Sequence, residues 1–203
     1  MNLTMKSILV LVALVALPVF TTAQSNPDNF LAARAQELVN VIVTNQSLYA
    51  SNPVKFKSQI NTIFEPMLDF RRVGASVMGK KYYRAATKDQ RLRFISVFKI
   101  SLLDTYSSTL AQWGDQTIKT NFSKKIVFNK TEDVNQSLVT SNNIYPITYK
   151  VRNDGKGNWS IINIIVNGVN LGLTFRNQFQ ALALEHNENI DEIINNWISE
   201  ADF

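Results

Sequence analysis

Residue types that perform covalent chemistry are scarce in this chain. It has no cysteine and a single histidine, His186, which excludes thiol–imidazole catalysis and multi-histidine metal sites. A Ser-His-Asp triad would have to use His186, in the polar stretch 185–189, which reads as a solvated connector between two helices. Two carboxylates can run hydrolysis without histidine. The candidate pairs are Glu132-Asp133, which read as a turn, and Asp191-Glu192, which read as a helix's first turn, where acids suit the dipole. Gly155 and Gly157 belong to a hairpin turn, so no glycine-rich phosphate loop follows a strand. The Asn-x-Ser/Thr triplets at Asn45, Asn121, Asn129 and Asn158 read as coincidence in an asparagine-rich chain. These residues point to binding without catalysis, with no metal and no cofactor.

Helical periods dominate the first half. Phe30 to about Thr44 predicts a helix with Leu31, Leu38, Val41 and Ile42 as its stripe. Asn52-Pro53 is a cap and first turn, opening a helix with Phe56, Ile60, Ile63, Phe64 and Met67 on one side; Pro66 ends or bends it. Asp69 caps the next, to about Met78. Thr87 and Gln90 have capping-box spacing and introduce the longest helix, about Lys88 to Trp113, with Ile95, Phe98, Leu102, Tyr106, Leu110 and Trp113 as its stripe, before Gly114.

The period then changes. Gln116–Asn121, Lys125–Asn129 and Gln136–Ser141 read as short strands. Tyr145–Arg152 alternates, with Ile147, Tyr149 and Val151 on one face. After the Asn153–Gly157 turn, strand Asn158–Val166 is apolar on both faces: Trp159, Ile161 and Ile165 on one, Ile162, Ile164 and Val166 on the other. That pattern predicts a central, covered strand. Asn167-Gly168 breaks it, and helices from about Leu173 to Leu184 and Ile190 to Ile198 follow. Helices, a strand meander, then helices predict an α+β fold with an antiparallel sheet.

The first 23 residues read as a cleaved secretory signal peptide. Lys6 precedes the apolar run from Ile8 to Phe20, and Thr21-Thr22-Ala23 offers small residues for cleavage. The run is too short for the roughly 20 residues a membrane-spanning helix needs. Residue 24 is Gln, not the cysteine of a lipoprotein, so residues 24–203 are expected as one freely diffusing domain. The formal net charge of +5, of which Lys6 supplies one, favours anionic surfaces mildly. It forms no concentrated stripe, and nucleic acid is not an expected partner. Twelve phenylalanines, six tyrosines and three tryptophans fit either a packed core or a core with a cavity, and composition does not separate them.

Two blocks carry a resemblance. One is Asp69-Phe70, Val77-Met78-Gly79-Lys80-Lys81-Tyr82-Tyr83, Ala86-Thr87-Lys88-Asp89-Gln90, Phe94, Phe98 and Tyr106. The other is Trp159, Ile164-Ile165-Val166-Asn167-Gly168-Val169, Leu171 and Arg176-Asn177-Gln178-Phe179. In this order they resemble the MlaC or toluene-tolerance family. Three positions and one segment depart from its pattern: Asn163 for an aspartate, Asn170 for a serine, Tyr83 for a tryptophan, and 185–189 for a Gly-Gly turn before the last helix.

The resemblance implies an NTF2-like fold and a monomeric periplasmic phospholipid carrier that is not an enzyme. It implies partners in an inner-membrane ABC-type transporter complex and an outer-membrane lipoprotein–porin complex, and a role in outer-membrane lipid asymmetry. Another apolar ligand, a quinone or hopanoid, would use the same pocket. Expected lipid-binding residues are Ile147, Tyr149, Val151, Ile162, Ile164 and Val166 on the sheet. Val73, Val77, Phe98, Leu102, Tyr106, Val169, Phe175 and Phe179 join them from helices and turns. Arg71, Arg72, Lys80, Lys81 and Arg176 are candidates for the headgroup or an acidic partner surface.

Overall fold

The structure is a computed structural model describing residues 26–199; the signal-peptide reading of residues 1–23 lies outside them. Helix α1 (Pro27–Ser51) runs longer than its apolar stripe suggests. Asn26 accepts the Asp28 and Asn29 amides at 2.7 and 3.3 Å, with Pro27 opening the helix. Asn52 caps α2 (Pro53–Met67), which continues through Pro66 to its last turn. Asp69 caps α3 (Phe70–Ala85), interrupted at Gly79, whose φ of +70° suits glycine. Both capping-box bonds between Thr87 and Gln90 are present at the start of α4 (Lys88–Ala111), at 2.9 and 3.1 Å.

Five antiparallel strands follow in the order β1-β2-β3-β4-β5: β1 (Thr117–Asn121), β2 (Thr131–Val139), β3 (Ile144–Asn153), β4 (Trp159–Val166) and β5 (Val169–Asn170). Helices α5 (Leu171–Glu185) and α6 (Ile190–Asn195) complete this α+β architecture. The Lys125–Asn129 segment is a loop, not a strand. Glu132-Asp133 lies within β2, not in a turn: Glu132 accepts the Asn129 amide at 2.6 Å and ends that loop.

β4 is not a central strand; only the two-residue β5 lies beyond it. Its apolar run has another cause. The β3–β4 register pairs Tyr149 with Ile164 but Val151 with Ile161, leaving Ile162 as an extra residue. One extra residue reverses the alternation on one side of the bulge. Trp159 and Ile161 therefore join Ile164 on the helix-facing side, against Leu31, Met67, Val134 and Val151.

Below this layer, α3, α4, α5 and α6 pack a second core. Phe94 is fully buried, its ring 5.1 Å from Phe179, 5.2 Å from Trp197 and 5.9 Å from Phe98. A third cluster, Ile42, Phe56 and Ile60, joins the α1–α2 pair to the C-terminal end of α4. The Gln46 amide donates to the Ala111 carbonyl at 3.3 Å.

Candidate functional site: an apolar cavity between sheet and helices

A cavity of about 310 Å³ lies where these clusters fail to meet. Helix α4 forms one wall with Phe98, Leu102, Leu103, Tyr106, Thr109 and Leu110. The sheet forms the opposite wall with Ile147, Tyr149, Ile161, Ile164 and Val166. Phe64, Leu68 and Val73 close one side, and Leu171, Gly172 and Phe175 at the start of α5 close another. Phe98 and Phe175 also belong to the aromatic core, their rings 5.4 Å apart, so the cavity has a rigid floor. Four lining side chains carry polar atoms: Tyr106, Thr109, Tyr149 and Asn163. No carboxylate, histidine or basic group lines it, and the described residues contain no cluster of His, Asp or Glu suited to a metal ion.

Tyr149 reports the character of the space. Burial pushes its phenol up to about 12, because phenolate has no compensating charge in apolar surroundings. Below pH 10 the phenol is neutral both folded and unfolded. Between pH 10 and 12 only the unfolded state ionises, so this group's contribution falls as pH rises through that window, by about 2–3 kcal/mol in total. Urea titrations at pH 9, 10 and 11 are expected to show a steeper loss for the native chain than for Tyr149→Phe.

Near the start of α5, Asn163 and Asn170 explain their own departure from the expected pattern. Asn163 donates to Asn170 Oδ1 at 3.0 Å and accepts the Gly172 amide at 3.1 Å, while Asn170 Oδ1 also accepts the Leu173 amide at 3.1 Å as helix cap. A Cβ on Gly172 would sit 2.4 Å from Asn163 Oδ1, which only glycine avoids. An aspartate at 163 has no proton to donate, so Asn170 must either face it oxygen to oxygen or turn over and lose its cap. Asn163→Asp is expected to cost about 1–2 kcal/mol. Asn170→Ser should recover part of that, since a hydroxyl both donates and accepts. A double-mutant cycle by chemical denaturation checks this; additive effects would contradict it.

Of the expected lining residues, Val73, Phe98, Leu102, Tyr106, Ile147, Tyr149, Ile164, Val166 and Phe175 surround the cavity. Val77 and Phe179 instead fill the aromatic core, and Val151 packs beside Trp159. Ile162 is the bulge's extra residue and Val169 lies in β5; neither lines the cavity. Ile161 was missed because the bulge is invisible to strict alternation. Leu103 and Leu110 stand three before and four after Tyr106, a helical spacing that could have found them.

The five basic candidates do not gather at the cavity. Arg176 Nε donates to the Ser76 carbonyl at 2.7 Å and a terminal nitrogen to Ser76 Oγ at 2.8 Å, tying α5 to α3. Arg72 pairs with Asp69 at 2.8 Å and Lys81 with Glu188. Arg71 and Lys80 are exposed on α3.

Comparison with known proteins is decided by coverage. A family model described as MlaC protein matches residues 33–199. The chain belongs to the MlaC family. A relative from Pseudomonas putida, the toluene tolerance protein ttg2D, is 35% identical over 192 residues, 94% of this chain and 88% of its own length. The intermembrane phospholipid transport system binding protein MlaC of Haemophilus influenzae is 24% identical over 152 residues, 73% of this chain and 71% of that protein. Among solved structures, the phospholipid-binding protein from Ralstonia solanacearum, determined with a phospholipid, superposes with a TM-score of 0.76. It is 20% identical, with 84% of this chain and 94% of that chain covered. Its likeness concerns the fold, which is NTF2-like in this MlaC-family chain.

Proposed function

We propose that this protein is an exported, periplasmic carrier that holds a phospholipid by its acyl chains in the α4–sheet cavity and does no covalent chemistry on it. The observation that carries this reading is a cavity walled by aliphatic and aromatic side chains, with no ionisable carboxylate, imidazole or amine among them. The names of the Haemophilus influenzae relative and of the Ralstonia solanacearum structure support the same ligand class.

A two-tailed lipid carries on the order of 30 methylenes, each worth about 0.8 kcal/mol against water. Leaving them wet would cost roughly 20 kcal/mol or more, so the protein must enclose nearly all of them. The competing state is the bilayer, where the tails are equally satisfied. A carrier therefore needs an unselective apolar pocket in near balance with the membrane. Its exchange partners would be an inner-membrane ABC-type lipid transporter complex and an outer-membrane lipoprotein–porin complex, serving outer-membrane lipid asymmetry.

About 310 Å³ lies at the small end of ligand cavities, about 300–1,000 Å³. Loading two tails requires the walls to part. At the α2–α4 seam the bridges Lys57–Asp104 (2.5 Å) and Lys99–Glu65 (2.8 Å) are surface pairs, each worth at most about 1 kcal/mol, so the buried Phe56 and Ile60 contacts with Leu103 and Leu110 set the resistance to parting there.

Native mass spectrometry of the protein purified from an exporting host tests the reading. A complex carrying a diacyl phospholipid mass is expected. A quinone or hopanoid mass would replace the phospholipid with another apolar cargo, and ligand-free protein under all loading conditions would overturn the carrier role.

A further inference from the structure

We propose that the β1–β2 loop, residues 122–130, is a docking tip that seats this protein on bilayers bearing anionic headgroups. The loop's two flanks are fixed. On the β1 side the Ser123 amide donates to Asp28 Oδ2 at 2.7 Å, and Asp28 is buried. On the β2 side the carboxylate of Glu132, only 8% exposed, accepts the Asn129 amide at 2.6 Å, the Asn129 side chain at 3.0 Å and Lys125 at 2.8 Å. Phe128 anchors the loop inward, its ring 6.4 Å from Trp159.

Between these anchors the chain turns its aliphatic side chains outward. Ile126 is 92% exposed and Val127 80%; Phe122, just before the Ser123 anchor, is 60% exposed. Large apolar groups so exposed on a held loop signal a contact surface.

The charge around the tip selects the surface. Lys124 and Lys130 are exposed and form no ion pair among the described residues. The Asn153 amide donates to the Lys130 carbonyl at 2.9 Å, which brings the β3–β4 turn alongside and adds exposed Lys156. Of the acids nearby, Glu132 is paired with Lys125, Asp28 is buried against the Ser123 amide, and exposed Asp154, held by the Lys156 and Asn158 amides, offsets Lys156, which leaves Lys124 and Lys130 as the cationic excess at the tip. Aliphatic groups at the apex with lysines behind them match the layering of a membrane interface, where alkyl groups enter and ammonium groups meet phosphate. A protein partner fits less well. A specific interface hides on the order of 1,000 Å² and is depleted in lysine, whereas this tip offers two adjacent aliphatic side chains flanked by exposed lysines.

The absence of cysteine makes the test direct. Ile126→Cys carries an environment-sensitive fluorophore, and Val54→Cys on α2, a site 72% exposed, carries it as control. Each is titrated with phosphatidylcholine vesicles with or without about one third phosphatidylglycerol. A blue shift at 126 alone, dependent on phosphatidylglycerol and reduced by salt, is the expected result. Ile126→Ser with Val127→Ser, or Lys124→Ser with Lys130→Ser, should each weaken vesicle partition by about tenfold or more. Both variants change only exposed groups, and unchanged circular dichroism confirms their fold. No shift, an equal shift at 54, or serine variants that keep full vesicle affinity while losing a co-purifying protein would overturn the proposal. No residue of 122–130 lines the cavity, so mass spectrometry of these variants reads cargo separately, and either reading can fail alone.

Discussion

Replacing Leu102 by tryptophan is expected to empty the cavity of cargo while leaving the protein folded. Leu102 stands on α4 in the wall opposite the sheet, so an indole there projects into free volume and not into packed atoms. Displacing even two methylenes of a bound tail costs about 1.6 kcal/mol, roughly tenfold in occupancy. Lipid extracted per mole of protein should fall by at least that factor. Because space exists to receive the ring, the thermal midpoint should drop less than for the overpacking of a filled core, which costs about 1–3 kcal/mol. Val166→Phe, from the opposite wall, should act in the same way. If both variants retain native lipid content, the cargo sits elsewhere and the carrier reading loses its site.

The largest expected stability effect lies one layer below. Phe94 is fully buried and in ring contact with Phe98, Phe179 and Trp197, and it does not line the cavity. Phe94→Ala removes that packing and leaves a void that three other rings cannot collapse to fill. The cost is about 3–5 kcal/mol, a fall of roughly 6–20 °C in Tm for a chain of this size. Calorimetry and urea unfolding check it. The folded fraction should still carry lipid, because the floor residues Phe98 and Phe175 remain. Together the two variants separate cargo loss from unfolding.

Local signals in the chain carried most of the element plan. Asn52-Pro53, Asp69 and the Thr87–Gln90 box each act within one helical turn, so their chemistry reads directly from neighbours. The three-to-four-residue stripe of α4 placed Phe98, Leu102 and Tyr106 on one side for the same reason. The scarcity of catalytic groups is likewise a property of composition and needs no coordinates.

Nonlocal choices were a different matter. Lys125–Asn129 is apolar enough to read as a strand, yet the Glu132 carboxylate captures its backbone and leaves Ile126 and Val127 outside. The bulge at Ile162 depends on pairing with β3 and sends Ile161, not Ile162, into the cavity wall. Val77 and Phe179 look like lining residues by type, but they fill space between helices that only the fold brings together. Arg176 looks like a surface cation until Ser76, a hundred residues away in the chain, receives it. The sequence by itself excluded thiol–imidazole catalysis and multi-histidine metal sites, because a missing side chain cannot be supplied by folding. Only the tertiary structure decided which apolar residues surround empty space, because a cavity is defined by atoms distant in the chain that fail to touch.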